Sequence, residues 1–256
     1  MADVDKTKKC KYSALEDFDE LADVESVCPE IFIGESEEAE SLCNLILSLA
    51  LIYNDFKDLL YGLILLKRRQ PRNCFSKYAG QYSGISYHIN RLLHSLFCEL
   101  AKLICDHQDT IRSRDFKKIL GSLSKENKMH WETIVKFAQG EHDNNFLDTM
   151  IKIRNNIAYH YHQPKVLKQG YRKHFDKREH ARSVACVSRG NTLASTRFHF
   201  ADAAVSGCYE IYLTDKETFT KNTEAIFQGI IKTLYTIIIN FIQIRGGAWH
   251  KEKVDE

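Results

Sequence analysis

Three stretches of this chain, residues 36 to 69, 82 to 107 and 219 to 244, repeat apolar residues at spacings of three and four for about seven helical turns or more, with no proline inside any of them. Strands rarely exceed about ten residues, so runs of this length must be helices, and each carries one broad apolar face that has to be buried. In the first run the face is set by Leu42, Leu45, Ile46, Leu49, Phe56 and Leu63, in the second by Ile89, Leu93, Leu96, Phe97 and Leu100, and in the third by Ile226, Ile230, Leu234, Ile237 and Phe241. Only 3 prolines and 12 glycines punctuate the 256 residues. The expected fold class is therefore all-α, a helical bundle of long antiparallel helices, with Pro71 ending the first helix and the connection through Gly80 turning the chain into the second.

Shorter helices are expected over residues 114 to 123, 128 to 139 and 146 to 159, with Pro164 and Gly170 opposing continuation of the last. Residues 196 to 200 and 209 to 213 have strand-like aromatic content around Val205-Ser206-Gly207, which predicts a small β hairpin near 196–213. A short helix is expected over residues 13 to 24. The third long helix is greasy, but Lys232, Asn240 and Gln243 interrupt it, so it reads as a core helix and no membrane association is expected.

Charge divides the chain. Residues 1 to 40 hold 13 acidic side chains against 4 lysines, a net of −9, which leaves +11 on the remainder. Residues 1–35 read as an acidic N-terminal arm, and 36–256 as one helical domain carrying a basic insertion at about 162–215. Within residues 160 to 200, nine Lys and Arg face only Asp176 and Glu179. Such a stretch suits a phosphate-binding surface, or a solvated loop whose charge keeps it soluble. The first 21 residues are charged and have no apolar core of the signal-peptide kind. The eight cysteines include no CxxC pair, which points to reduced thiols in a cytoplasmic protein rather than a disulfide framework or a zinc knuckle; no metal and no cofactor is expected.

The chemically suggestive run is Ile153-Arg154-Asn155-Asn156-Ile157-Ala158-Tyr159-His160-Tyr161-His162, at the end of a helix. A fixed cation beside a group that titrates near neutral pH supplies a charge clamp and a proton carrier, although Arg and His also serve as ordinary complements to a helix C-terminus. Arg154, directly followed by Asn155 and separated by five residues from His160, resembles the signature of the HEPN superfamily. The commonest spacing in that family places the histidine at the position of Tyr159. The resemblance implies a metal-independent RNA endonuclease of the toxin or antiviral-defence kind, restrained by an antitoxin or regulatory partner. In it, Arg154 holds the phosphate, His160 moves the proton, Asn155 orients one of them, and the ribose 2′-hydroxyl attacks its own phosphodiester. If the helix continued regularly, Arg154 and His160 would stand about 120° apart. The site would then need either a frayed helix after Ala158 or completion across a homodimer, and the resemblance implies the homodimer. Tyr159, Tyr161, His162, Lys165, Lys168, Arg172 and Lys173 are candidates for contacting the RNA. The alternatives are a non-catalytic HEPN-like module that binds RNA or a nucleotide, and a helical dimeric scaffold in which Arg154 forms an internal ion pair.

Overall fold

The computed structural model describes residues 24–68, 82–141, 146–158, 165–175, 185–189, 196–247 and 250–252. In chain order these form strand β1 (Val24–Ser26), a 3-10 turn (Pro29–Phe32), α1 (Glu37–Arg68), α2 (Tyr82–Asp106), α3 (Gln108–Arg112), α4 (Arg114–Gly121), α5 (Lys125–Ala138) and α6 (Phe146–Ile153). A π-helical turn (Arg154–Ala158), α7 (Val166–Phe175), β2 (Val187–Ser188), β3 (Arg197–Phe198), α8 (His199–Tyr212), α9 (Lys216–Ile244) and β4 (His250–Glu252) follow. The fold is all-α.

Side-chain caps set where several helices begin. Ser36 Oγ accepts from the amide of Ala39 at 3.2 Å, with Glu37, Glu38 and Glu40 in the first turn of α1 favoured by the helix dipole. Ser113 caps α4 through the amide of Phe116, and Ser124 caps α5 through that of Asn127. Asp215 caps α9 through the amide of Thr218. The last two caps start their helices three residues before the first turn that apolar periodicity reveals.

The apolar stripe of α9, with Ile226, Ile230, Leu234 and Ile237 fully buried, lies against α5, α1 and α4. By length and composition α9 could cross a bilayer, yet about half of its most apolar stretch is covered by the other helices. Aromatic rings join the helices in sequence. Phe56 of α1 meets Phe97 of α2 at 5.1 Å between centroids, Phe97 meets Phe137 of α5 at 6.1 Å, Phe137 meets Phe146 of α6 at 5.6 Å, and Phe146 meets Phe219 of α9 at 5.0 Å. These tilted and edge-on contacts add to area burial at each crossing.

Residues 24–35, assigned to the acidic arm by charge, are tied into the bundle. β1 pairs antiparallel with β4, Ile31 is buried, and the Arg245 guanidinium donates to the carbonyls of Ile31 and Ile33 at 3.2 and 2.9 Å. The rest of the arm, including most of the helix expected over 13 to 24, lies outside the described residues, and Val24 itself opens β1.

The hairpin expected near 196–213 does not form. Arg197–Phe198 pairs instead with Val187–Ser188, and residues 199 to 212 are helix α8. Tertiary packing overrides the aromatic strand preference: Val205 and Cys208 are buried at helical spacing, together with Ile153 and Ile157, in a second small core. Nor is the basic insertion a loop throughout. Helix α7 forms across Gly170 and crosses α8 at Gly207, so closely that a Cβ on Gly207 would overlap the Gly170 carbonyl and one on Gly170 the Ala204 carbonyl. Both glycines permit backbone-to-backbone approach.

Gly207→Ala is expected to lower stability by about 1–3 kcal/mol in urea unfolding and to remove hydrogen-exchange protection from α7. Gly121→Ala, at the end of α4 with open space around it, is expected to raise stability by about 0.4–1 kcal/mol. Equal effects at the two sites would contradict the close crossing.

Candidate functional site

The helix of the Arg154 run ends as an α-helix at Ile153 and widens into the π turn at Arg154 itself, rather than continuing regularly to Tyr159. Turns of this kind recur at functional sites because an i→i+5 turn reorients the side chains that follow it. Ile153, Ile157 and Ala158 hold the turn from inside: all three are buried, and Ile153 and Ile157 pack with Val205 and Cys208 of α8. Arg154, Asn155 and Asn156 face outward and are half-buried.

Arg154 lies against α2. Its Nη2 donates to Glu99 Oε1 at 2.5 Å, with 38% of the arginine side chain and 48% of the glutamate exposed. Its Nε is buried and has no hydrogen-bond partner among the described residues. A buried donor left unpaired is unfavourable, so this edge of the guanidinium is predisposed to donate to a further anionic or carbonyl oxygen. The pair forms one wall of a groove of about 440 Å³, to which Asp55 and Asp58 of α1 and Ser95 of α2 also contribute. Three carboxylates against one arginine give the groove a net negative charge. Beneath it Cys98 is buried, and that burial pushes its thiol up to about 11 against the opposing pull of the Arg154 cation.

Of the other candidates, Asn155 stands beside Arg154 on the turn, and its side chain makes no hydrogen bond with a described residue. Tyr159, His160, Tyr161 and His162 lie outside the described residues. Lys165 is exposed, with a left-handed φ of 71°, immediately before α7. Lys168, Arg172 and Lys173 are exposed on α7, which contains no acidic residue, and none of them pairs with a described carboxylate. Val166, Leu167 and Gly170 turn towards α8, so Lys168, Tyr171, Arg172 and Phe175 share the opposite face. The rings of Tyr171 and Phe175 lie 4.6 Å apart on that face. Arg197, by contrast, is committed to structure: it binds Asp202 through two bonds of 2.8 and 2.7 Å and covers Gly84 at the start of α2.

The structure adds Glu99, Asp55 and Asp58 to the site. Glu99 precedes Arg154 by 55 residues on a different helix, and no local pattern marks it. No three His, Cys, Asp or Glu side chains among the described residues are grouped so as to hold a metal ion. No family model, curated protein or solved structure matches the chain.

Cys98 provides a pH test of this packing. Its folded pKa is raised from 9.0 to about 11, so the folded state holds the thiol proton more tightly than the unfolded chain does. The resulting stabilisation is complete below about pH 9 and is lost as pH rises towards 11. The urea midpoint of the parent is therefore expected to fall towards that of Cys98→Ala between pH 8.5 and pH 11 (roughly the titration window). A constant difference between the two would show that the thiol is not desolvated beside Arg154.

Proposed function

We propose that the protein binds RNA on the face of α7 and cleaves it, without a metal, at the Arg154 turn, as an HEPN-type endoribonuclease acting as a homodimer. The observation that carries this reading is that one small core, built from Ile153, Ile157, Val205 and Cys208 with Val166 and Leu167 against it, holds both the Arg154 turn and α7. The phosphate-attracting helix and the candidate charge clamp are thereby fixed to the same support. Cations on α7 would engage the backbone, while Tyr171 and Phe175 would offer flat surfaces for unstacked bases.

The proposed reaction uses the ribose 2′-hydroxyl as nucleophile, His160 as the group that takes or gives the proton, and Asn155 to orient the phosphate or the imidazole. Arg154 contributes a fork with five donors. Glu99 occupies one, leaving Nε and the remaining N–H groups for a non-bridging phosphate oxygen, where charge grows in the transition state. Glu99 would thus hold the guanidinium while moderating its charge.

The Arg154–Glu99 pair also favours a second reading. An arginine neutralised in a groove lined by Asp55 and Asp58 is a poor anion clamp, which fits a non-catalytic RNA-binding module. The two readings separate when labelled single-stranded RNA is incubated with the purified protein in excess chelator. The nuclease reading expects products with 2′,3′-cyclic phosphate ends from the parent, none from Arg154→Ala or His160→Ala, and altered activity in Glu99→Gln. Uncut RNA that is nevertheless bound by the parent would establish the module. In either case Lys168→Glu and Arg172→Glu are expected to weaken RNA binding and to reduce the salt slope by about one per lost phosphate contact. An unchanged slope would remove α7 from the RNA-binding surface.

A further inference from the structure

A second cavity, lined by no residue of α7, opens between α1, α2 and α9 and has a volume of about 400 Å³. Its walls are Leu63 of α1, Leu93 and Phe97 of α2, and Phe219 and Phe227 of α9. Thr220 and Glu224 stand exposed at its rim, and His94 and Asn90 contribute the polar groups on α2. Small-molecule sites have this build, a mainly apolar and aromatic enclosure with a few fixed polar atoms.

His94 is fixed on three sides. Its ring stacks on Phe219 at 5.9 Å and 20°, and tilts against Tyr209 at 5.6 Å. Its Nδ1 lies 2.5 Å from the Asn90 carbonyl. A carbonyl only accepts, so Nδ1 carries the proton and donates it, and burial lowers the histidine pKa and keeps the ring neutral. Nε2 is then a bare acceptor, with no partner among the described residues. Glu224 has no partner among them either, and its charge at the rim repels anions. Walls of rings, one pre-oriented acceptor and an acidic rim select together for a flat apolar body, a donor N–H or O–H, and the absence of negative charge.

We infer that this cavity is a binding site for a small, uncharged, planar aromatic molecule that donates one hydrogen bond to His94. The inference is independent of the RNA reading, because the acidic rim disfavours the phosphate groups that α7 would attract. Indole, and indene as its isostere without the N–H donor, serve as probes by ligand-detected NMR on the full chain. Indole is expected to bind about tenfold more tightly than indene, because displacing water from the Nε2 acceptor without replacing its hydrogen bond is unfavourable. Intermolecular NOEs are expected to the methyl groups of Leu63 and Leu93. His94→Phe keeps the ring and its stacking but should abolish the preference for indole. Thr220→Trp, at the exposed rim, should close the cavity to both probes without disturbing the core. Absent binding, equal affinities for the two probes, NOEs to methyls elsewhere, or a preference that survives in His94→Phe would each overturn the assignment.

Discussion

The run of aromatic contacts from Phe56 through Phe97, Phe137 and Phe146 to Phe219 is the constraint on which the candidate site depends. Helix α6 is eight residues long, too short to persist on its own hydrogen bonds. It persists because Phe146 sits between Phe137 and Phe219, and Met150 and Ile153 continue the same buried face. The π turn then begins one residue after Ile153, so the position of Arg154 is inherited from the aromatic packing about two turns of chain away rather than from contacts at the turn alone. The same packing lays α2 alongside the turn, and α2 presents Glu99 to the guanidinium.

Two electrostatic environments meet at that turn. On one side, Asp55, Asp58 and Glu99 line a groove in which a phosphate is disfavoured. On the other, the second small core joins the turn to α7, whose exposed face carries cations, aromatic rings and Gln169 and no carboxylate. Charges separated by more than about 8–10 Å in solvent act weakly at physiological salt, so these environments operate locally and do not average into the small net charge of the whole chain. A polyanion would be drawn to α7 and excluded from the groove. Its approach to Arg154 would thereby be restricted to one side.

The sequence made the long helices legible because burial on one face imposes a period that no other structure shares. The extents of α1, α2 and α9 follow from it to within three residues, and only the start of α9 is displaced further than one, where Asp215 caps the helix ahead of its first apolar turn. The segment from Arg197 to Leu213 was misleading for a different reason. Tyr209, Tyr212 and Leu213 favour strands by type, whereas their spacing with Val205 and Cys208 is helical, and what decides between the two is the docking of Gly207 on Gly170, 37 positions earlier. Arg154 and Asn155 could be picked out because their neighbours form a compact pattern. Glu99 could not, since it lies 55 positions before the arginine on another helix, no local spacing links the two, and only tertiary packing brings them together.

That choice bears on why an arginine rather than a lysine occupies position 154. An ammonium held by Glu99 would have to leave it, or reach past it, to contact a second anion, because its donors radiate from one atom. A guanidinium is planar, with donors along separate edges, so Nη2 can remain on Glu99 while Nε on one side of it and Nη1 on the other each donate to a further oxygen. The buried Nε, which has no partner among the described residues, is the edge that such a second contact would satisfy. The carboxylate of Glu99 then fixes the plane of the fork before any ligand arrives, which reduces the side-chain entropy lost on binding. It also lowers the net positive charge of the clamp, and so lessens its attraction for anions that lack the geometry to use both free edges. Charge neutralisation and orientation come from the same bond, and a site of this design would select by shape what α7 gathers by charge.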